Sequence, residues 1–200
     1  MKQSKFKKNP WEDHYSRQAK KDNYPARSVY KLQEIQKKFG LIKKGDHVLD
    51  LGCAPGSWIK YAASLTGTTG RVAGMDLKPV TICLPPHAEC HTRDIFSENT
   101  DLWAAIGTGF DVVLSDMAPD TSGNKFVDAA KSYNLCEAAL SIARRILKPG
   151  GAFVCKIFQG EDFKQFSEIV KTEFTLQKIY KPQSCRKASN EIYIIGMGKK

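Results

Sequence analysis

Two segments, Ser115-Asp116-Met117-Ala118-Pro119 and Val154-Cys155-Lys156-Ile157-Phe158, each set one ionisable residue at the end of an apolar run. A carboxylate and an amine delivered to one place can take a proton from a weakly acidic hydroxyl. A Lys at the end of a hydrophobic strand is unusual. Partial burial lowers a Lys pKa and suits the group to general-base work. The plainer alternative is a Lys whose stem packs and whose head reaches water. Function is favoured where strand ends form a site. A third segment, Gly52-Cys53-Ala54-Pro55-Gly56-Ser57-Trp58, links the apolar run His47–Leu51 to a helix. Glycine permits a tight turn and close approach of a ligand. The free N–H groups of a helix start suit a carboxylate.

A dinucleotide site would want G-x-G-x-x-G in that loop. Ala54 and Ser57 stand where the second and third glycines belong, so the pyrophosphate cradle is incomplete. The next apolar run ends in Asp76, 24 residues after Gly52. A carboxylate there can accept both ribose hydroxyls of an adenosine. The run after it leads to Asp94, which can accept from an adenine amino group. Loop, Asp76 and Asp94 in series predict an adenosyl cofactor without phosphates, S-adenosylmethionine. Methyl transfer from a sulfonium leaves an enzyme two tasks: placing the nucleophile and removing its proton.

These residues need a scaffold that gathers strand ends. Apolar runs at His47–Leu51, Arg71–Asp76, His87–Arg93, Phe110–Asp116 and Gly151–Ile157 alternate with helical patterns. The clearest helix spans Val127–Leu147 and stops at Lys148-Pro149-Gly150-Gly151. Alternation of this kind predicts a parallel sheet covered on both faces. After a helix at Glu161–Lys171, two strands, Phe174–Tyr180 and Glu191–Met197, follow one another and predict an antiparallel hairpin at the sheet edge. The fold class expected is α/β: a Rossmann-like methyltransferase fold, with a mostly parallel seven-stranded sheet and helices on both faces. Upstream, helices are predicted at Asp13–Lys21 and Arg27–Phe39, the second stopped by Gly40.

At 200 residues, the chain can hold one such domain with its own core. No apolar run approaches the roughly 18 residues needed to span a bilayer. The basic N-terminus lacks an apolar stretch behind it, so no secretory leader is expected and the cytoplasm is the default location. Of the net charge of +10, residues 1–44 carry +9 (13 Lys/Arg against 4 Asp/Glu). A basic lobe on a neutral domain is the footprint of a polyanion-binding surface. The division expected is a basic RNA-binding arm and helix over 1–44 and a methyltransferase domain over 45–200. The six cysteines include no C-x-x-C pair and are expected as reduced thiols. Cys83, His87, Cys90 and His91 fall close together, but their spacing matches no familiar zinc pattern and no metal is expected.

The sequence resembles the FtsJ/RrmJ family of RNA ribose 2′-O-methyltransferases from about Tyr15 to Gly198. The resemblance rests on Arg27-Ser28-Val29-Tyr30-Lys31-Leu32, Asp50-Leu51-Gly52-Cys53-Ala54-Pro55-Gly56-Ser57-Trp58, Ser115-Asp116-Met117-Ala118-Pro119, Lys156-Ile157-Phe158-Gln159-Gly160 and Ser189-Asn190-Glu191-Ile192-Tyr193. It implies a catalytic tetrad of Lys31, Asp116, Lys156 and Glu191. Lys156 would be the base for the 2′-hydroxyl, oriented by Asp116. Lys31 would position the acceptor or stabilise its developing charge, and Glu191 would hold Lys156 or the ribose. Implied cofactor contacts fall on Gly56, Trp58, Asp76, Asp94 and Asp116, beside the Gly52 turn. Ser57 stands where many bacterial members have Gly. The resemblance further implies the bacterial type that modifies the A-loop uridine of 23S rRNA in the assembled large ribosomal subunit, with tRNA as the alternative target. A monomer is expected. Two other readings compete. A base-amine methyltransferase would carry Asp/Asn-Pro-Pro-aromatic after the fourth strand, where this chain has Asp116-Met117-Ala118-Pro119. A non-catalytic RNA-binding factor would have no need of the intact tetrad.

Overall fold

The computed structural model describes residues 14–97, 106–186 and 188–200. In chain order its elements are α1 (His14–Lys21), α2 (Val29–Phe39), β1 (His47–Leu51), α3 (Ser57–Thr66), β2 (Arg71–Asp76), β3 (Ala88–Thr92), β4 (Phe110–Ser115), α4 (Lys125–Ile146), β5 (Leu147–Phe158), α5 (Phe163–Glu173), β6 (Phe174–Tyr180) and β7 (Glu191–Lys199). Residues 1–13, the distal part of the basic arm, lie outside the described residues.

The strands form one seven-stranded sheet in the order β3-β2-β1-β4-β5-β7-β6. The first five run parallel, and β7 is antiparallel to both β5 and β6. The terminal hairpin is therefore folded so that β7 is interior and β6 is the edge. The order reverses between β1 and β4, which opens a crevice beyond their carboxyl ends.

Side chains alternate across a strand, so the sheet divides its apolar residues into two cores. Leu49, Leu51, Val113 and Phe153 face α4 and α5. Val48, Val72, Leu114, Val154 and Tyr193 face α2 and α3. Leu32 and Ile35 of α2 are buried in that second core, so this helix packs on the sheet as well as carrying basic residues. Gly40 ends α2 in the left-handed region at φ 60°, returning its N–H to the Gln36 carbonyl. Asn124 caps α4 by accepting from the Phe126 and Val127 amides.

One local expectation is corrected. Helix α4 stops at Ile146, within one residue of its expected end, but β5 begins at once, at Leu147 and not at Gly151. Leu147 already pairs with Phe110, and the irregular register before Val112–Ala152 absorbs the Pro-Gly insertion. Lys148 holds this bulge by pairing with Asp111 at 2.8 Å.

Candidate active site

The positions that continue the α2/α3-facing rows of the sheet are the polar ones. On β1, Asp50 follows Val48; beyond β4, Asp116 follows Leu114; on β5, Lys156 follows Val154; on β7, Glu191 precedes Tyr193. Lys156 and Tyr193 lie directly opposite one another across the β5–β7 ladder. Lys31 comes down onto this row from α2, which is buried against the same face.

The result is a compact ionic network. Lys156 Nζ lies 3.1 Å from Asp116 Oδ1 and also donates to the Asp116 carbonyl. Lys31 Nζ is 3.7 Å from the same Oδ1 and donates to Glu191 Oε2 at 2.9 Å. Tyr193 Oη donates to Asp116 Oδ1 at 2.6 Å. Burial would push the Asp116 carboxyl up, but the two ammonium groups and the Tyr193 hydroxyl outweigh it and hold it below the usual carboxylate value. Burial likewise pulls Lys31 down, and Asp116 and Glu191 overcome that, leaving its ammonium above the ordinary lysine value. Burial pushes the Tyr193 phenol well up, so it keeps its proton and remains a donor.

Two cavities flank the network. One, of about 770 Å³, lies at the switch point and is lined by Gly52, Asp76, Asp94, Asp116 and Met117. The other, of about 460 Å³, is lined by Arg27, Lys31, Arg186, Ser189 and Glu191. The first is acidic at its strand ends and the second is basic. Lys156 lines neither; it sits 5% exposed behind Asp116.

Gly52 turns into the first cavity at φ 79°, where a Cβ would come within 2.5 Å of Met117 Cγ. Asp76 steadies the loop: its Oδ2 accepts from the Ala54 amide at 2.9 Å and its Oδ1 from the Lys78 amide at 2.8 Å. Asp94 accepts from the Phe96 amide at 2.9 Å. Gly56 and Trp58 do not line the cavity. Gly56 starts α3 at φ 111° with Val80 and Ile82 packed against it. Trp58 is buried, donates to the Ser28 carbonyl at 2.8 Å and stacks on Tyr193 with ring centroids 5.9 Å apart. Ser57 both accepts from the Ala26 amide and donates to its carbonyl, which ties the segment before α2 to the start of α3.

The cysteine–histidine group does not converge. Cys90 Sγ faces Cys53 Sγ at 3.9 Å, His87 Nε2 contacts the Ala63 carbonyl, His91 leans toward Glu89, and Cys83 is exposed. Among the described residues no three such groups are placed to hold one metal ion. No helix among them is long and apolar enough to cross a membrane.

Two residues of the site were not singled out from the sequence alone. Tyr193 lies two residues after Glu191, which puts it on the same strand face, but its role depends on the pairing of β7 with β5. Asp50 read as one more residue of a buried strand. It is fully buried, and neither side-chain oxygen has a hydrogen-bond partner among the described residues. Burial, then the nearby Asp116, pushes its carboxyl well above the ordinary value.

A doubly wound sheet with a carboxylate-lined crevice at its switch point, closed by an antiparallel β7, defines a Rossmann-like enzyme of the methyltransferase class. The chain belongs to the FtsJ-like methyltransferase family, whose model matches residues 24–199. It is 62% identical over 98% of its length to the ribosomal RNA large subunit methyltransferase E of Desulforapulum autotrophicum, covering 97% of that protein. The protein of the same name from Desulfosudis oleivorans is 55% identical over 98% of this chain and 94% of its own. A crystal structure of a protein assigned as a ribosomal RNA methyltransferase from Plasmodium falciparum superposes with a TM-score of 0.76 at 26% identity, covering 88% of this chain and 98% of that one.

Proposed function

We propose that this chain transfers a methyl group from S-adenosylmethionine to a ribose 2′-hydroxyl of large-subunit rRNA, with the A-loop uridine as the target. The observation that carries this reading is the meeting of Lys31 and Lys156 on one Asp116 oxygen, between an acidic cleft and a basic pocket. The names of the relatives support rRNA of the large subunit as the substrate.

The residues of the cleft fit the cofactor. Its volume is in the range of small-molecule sites. Asp76, Asp94 and Asp116 at the strand ends share the lining with Lys78, Arg93 and Lys131, which suits a ligand with both a cationic centre and a carboxylate, and Gly52 leaves backbone room beside Met117. Asp76 would take the adenosine ribose, Asp94 the adenine amino group and Asp116 the aminoacyl end. Gly56 and Trp58 would act through others, Gly56 by shaping the loop and Trp58 by backing Tyr193. When bound, the cofactor supplies an electrophilic methyl group on a positively charged sulfur.

The chain's own residues then handle the acceptor. The ribose enters from the basic pocket, where Arg27 and Arg186 favour an RNA backbone. Lys156 acts as the neutral amine: once Nζ has given its own proton to solvent it takes the hydroxyl proton, with Asp116 fixing its position through Oδ1 and the main-chain carbonyl. Lys31 stabilises the oxygen as its charge develops. Glu191, bonded to Lys31, orients that ammonium and does not hold Lys156. Residues 1–44 carry the RNA-binding surface, and their helix α2 also packs into the core and supplies Lys31 to the methyltransferase domain over 45–200. The protein works as a cytoplasmic monomer on the ribosomal subunit.

The deciding experiment incubates the chain with methyl-labelled cofactor and unmodified large subunits, then maps the label by mass spectrometry of RNA fragments. A single 2′-O-methyluridine in the A-loop is expected. Label on a base overturns the acceptor chemistry, and label found only on added tRNA overturns the substrate.

A further inference from the structure

A groove of about 580 Å³ runs beside the network, between α1, α2 and the edge strand β6. Tyr15 of α1 and Tyr30 of α2 form one wall, with ring centroids 5.4 Å apart. Tyr180, the last residue of β6, forms the other. Lys37 and Lys38 lie between them with Gln33, Glu34 and Gln183, and Lys38 Nζ lies 4.3 Å from the Tyr180 ring centroid.

Two features set this groove apart from a packed surface seam. Its rings are held in place by their hydroxyls: Tyr30 Oη donates to Asp22 at 2.7 Å and Tyr180 Oη to Glu34 at 3.3 Å. Rigid aromatic walls lose little entropy on binding a flat ligand. Second, Glu34 is the one carboxylate in the lining, and it is committed internally, accepting from the Gln183 and Ser184 amides at 2.6 and 2.8 Å. Among the described residues, neither Lys37 nor Lys38 is paired with a carboxylate. The groove therefore offers aromatic rings together with a net positive charge, two lysines against one carboxylate.

That combination matches unpaired RNA, whose bases stack on aromatic rings while lysines meet the phosphates. We infer that the groove is a stacking subsite for the base of an unpaired nucleotide flanking the acceptor. The placement follows from α2 itself. Lys31 of the network and Lys38 of the groove lie seven residues apart on this helix, about 10 Å along its axis. The subsite thus lies beyond the acceptor ribose and takes a neighbour. It distinguishes a looped-out or single-stranded target from a duplex, whose stacked bases cannot enter. This inference rests on the RNA reading above and adds to it a preference for unpaired sequence.

The test uses the full chain and a short single-stranded RNA carrying 2-aminopurine, whose fluorescence is quenched on stacking. Binding is read without turnover, and KM and kcat are read separately on large subunits. Tyr15→Ala and Tyr180→Ala should each weaken oligonucleotide binding about 5- to 100-fold and abolish most of the quench. KM should rise and kcat at saturating substrate should hold. Tyr180→Phe, which keeps the ring and loses only the hydroxyl bond to Glu34, should keep most of the quench and bind within a few-fold of the parent, and the melting temperature of each variant controls for folding. Unchanged affinity and quench in the alanine variants overturn the subsite, even where ribose methylation is intact. Losses confined to Lys38→Ala, with equal competition by polyglutamate, overturn base stacking in favour of a general anion surface. If no ribose methylation occurs with any RNA, the functional reading falls, while the binding readout still decides the groove.

Discussion

Tyr193 and Asp116 meet hydroxyl to carboxylate at 2.6 Å, on the sheet face that also carries Lys156. Asp116 Oδ1 therefore receives Tyr193, Lys156 and, more distantly, Lys31. A buried carboxylate so surrounded stays ionised and fixed in direction. Trp58 stacked behind Tyr193 extends that support to α3. The position of the base is thus set by a chain of contacts running from the helix after the cofactor loop to the acceptor side.

Tyr193→Phe keeps the ring against Trp58 and removes only the hydroxyl. A hydrogen bond to a charged group contributes about 1.5–3 kcal/mol. The Asp116 carboxyl, held low in part by this bond, should titrate at higher pH without it. The shift should be read directly, by carbon-13 NMR of the Asp116 carboxyl through an acid titration, with a loss of activity at neutral pH beside it. A carboxyl that titrates as in the parent would assign Tyr193 to packing alone.

Lys156→Ala should lower kcat by about 10²- to 10⁴-fold, the usual worth of a positioned base. Lys156→Arg should not rescue it, because a guanidinium does not give up its proton. Cofactor affinity, read by calorimetry, should change little, since Lys156 does not line the cleft. Methyl transfer surviving at the parental rate would refute the assigned base.

Gly52→Ala tests the cofactor loop. The added Cβ would sit 2.5 Å from Met117 Cγ and 3.2 Å from its main-chain N, at φ 79°. A non-glycine residue held there costs roughly 1–3 kcal/mol. A melting temperature lower by several degrees and weakened cofactor binding are expected together. A variant with both unchanged would show that the Met117 segment yields freely.

Much of this was legible in the sequence because strand ends announce themselves. Apolar runs bounded by turn residues gave β1, β2 and β4 nearly to the residue, and with them Asp76 and Asp116. The role of Tyr193 was not legible, since it depends on β7 inserting between β5 and β6 and pairing Tyr193 with Lys156. Register between distant strands has no local signature. Trp58 and Gly56 were assigned to the cofactor by family resemblance, whereas their contacts are to Tyr193, Ser28, Val80 and Ile82. Lys148-Pro149-Gly150 marks the end of the helix, but nothing local shows that β5 already begins at Leu147, because that depends on its pairing with Phe110.

Asp50 gives the last prediction, through pH. It shares the α3-facing row with Val48, beneath the loop and with both oxygens unpartnered. Its carboxyl is raised well above 3.8 by burial first and by Asp116 next. In the folded protein Asp50 thus keeps a proton that the unfolded chain releases above about pH 4. Linkage then requires stability to fall as pH rises from that point toward the folded-state value, by up to about 1.4 kcal/mol per pH unit. Asp116 acts in a separate window: its carboxyl is depressed, so its contribution is lost only as pH falls below the ordinary value. Asp50→Asn matches the neutral acid in shape and does not titrate. Its unfolding free energy relative to the parent should climb with pH above 4, measured by urea denaturation at a series of pH values. A difference independent of pH between 4 and 8 would mean that Asp50 is ionised in the fold, with a counter-charge other than the residues named here.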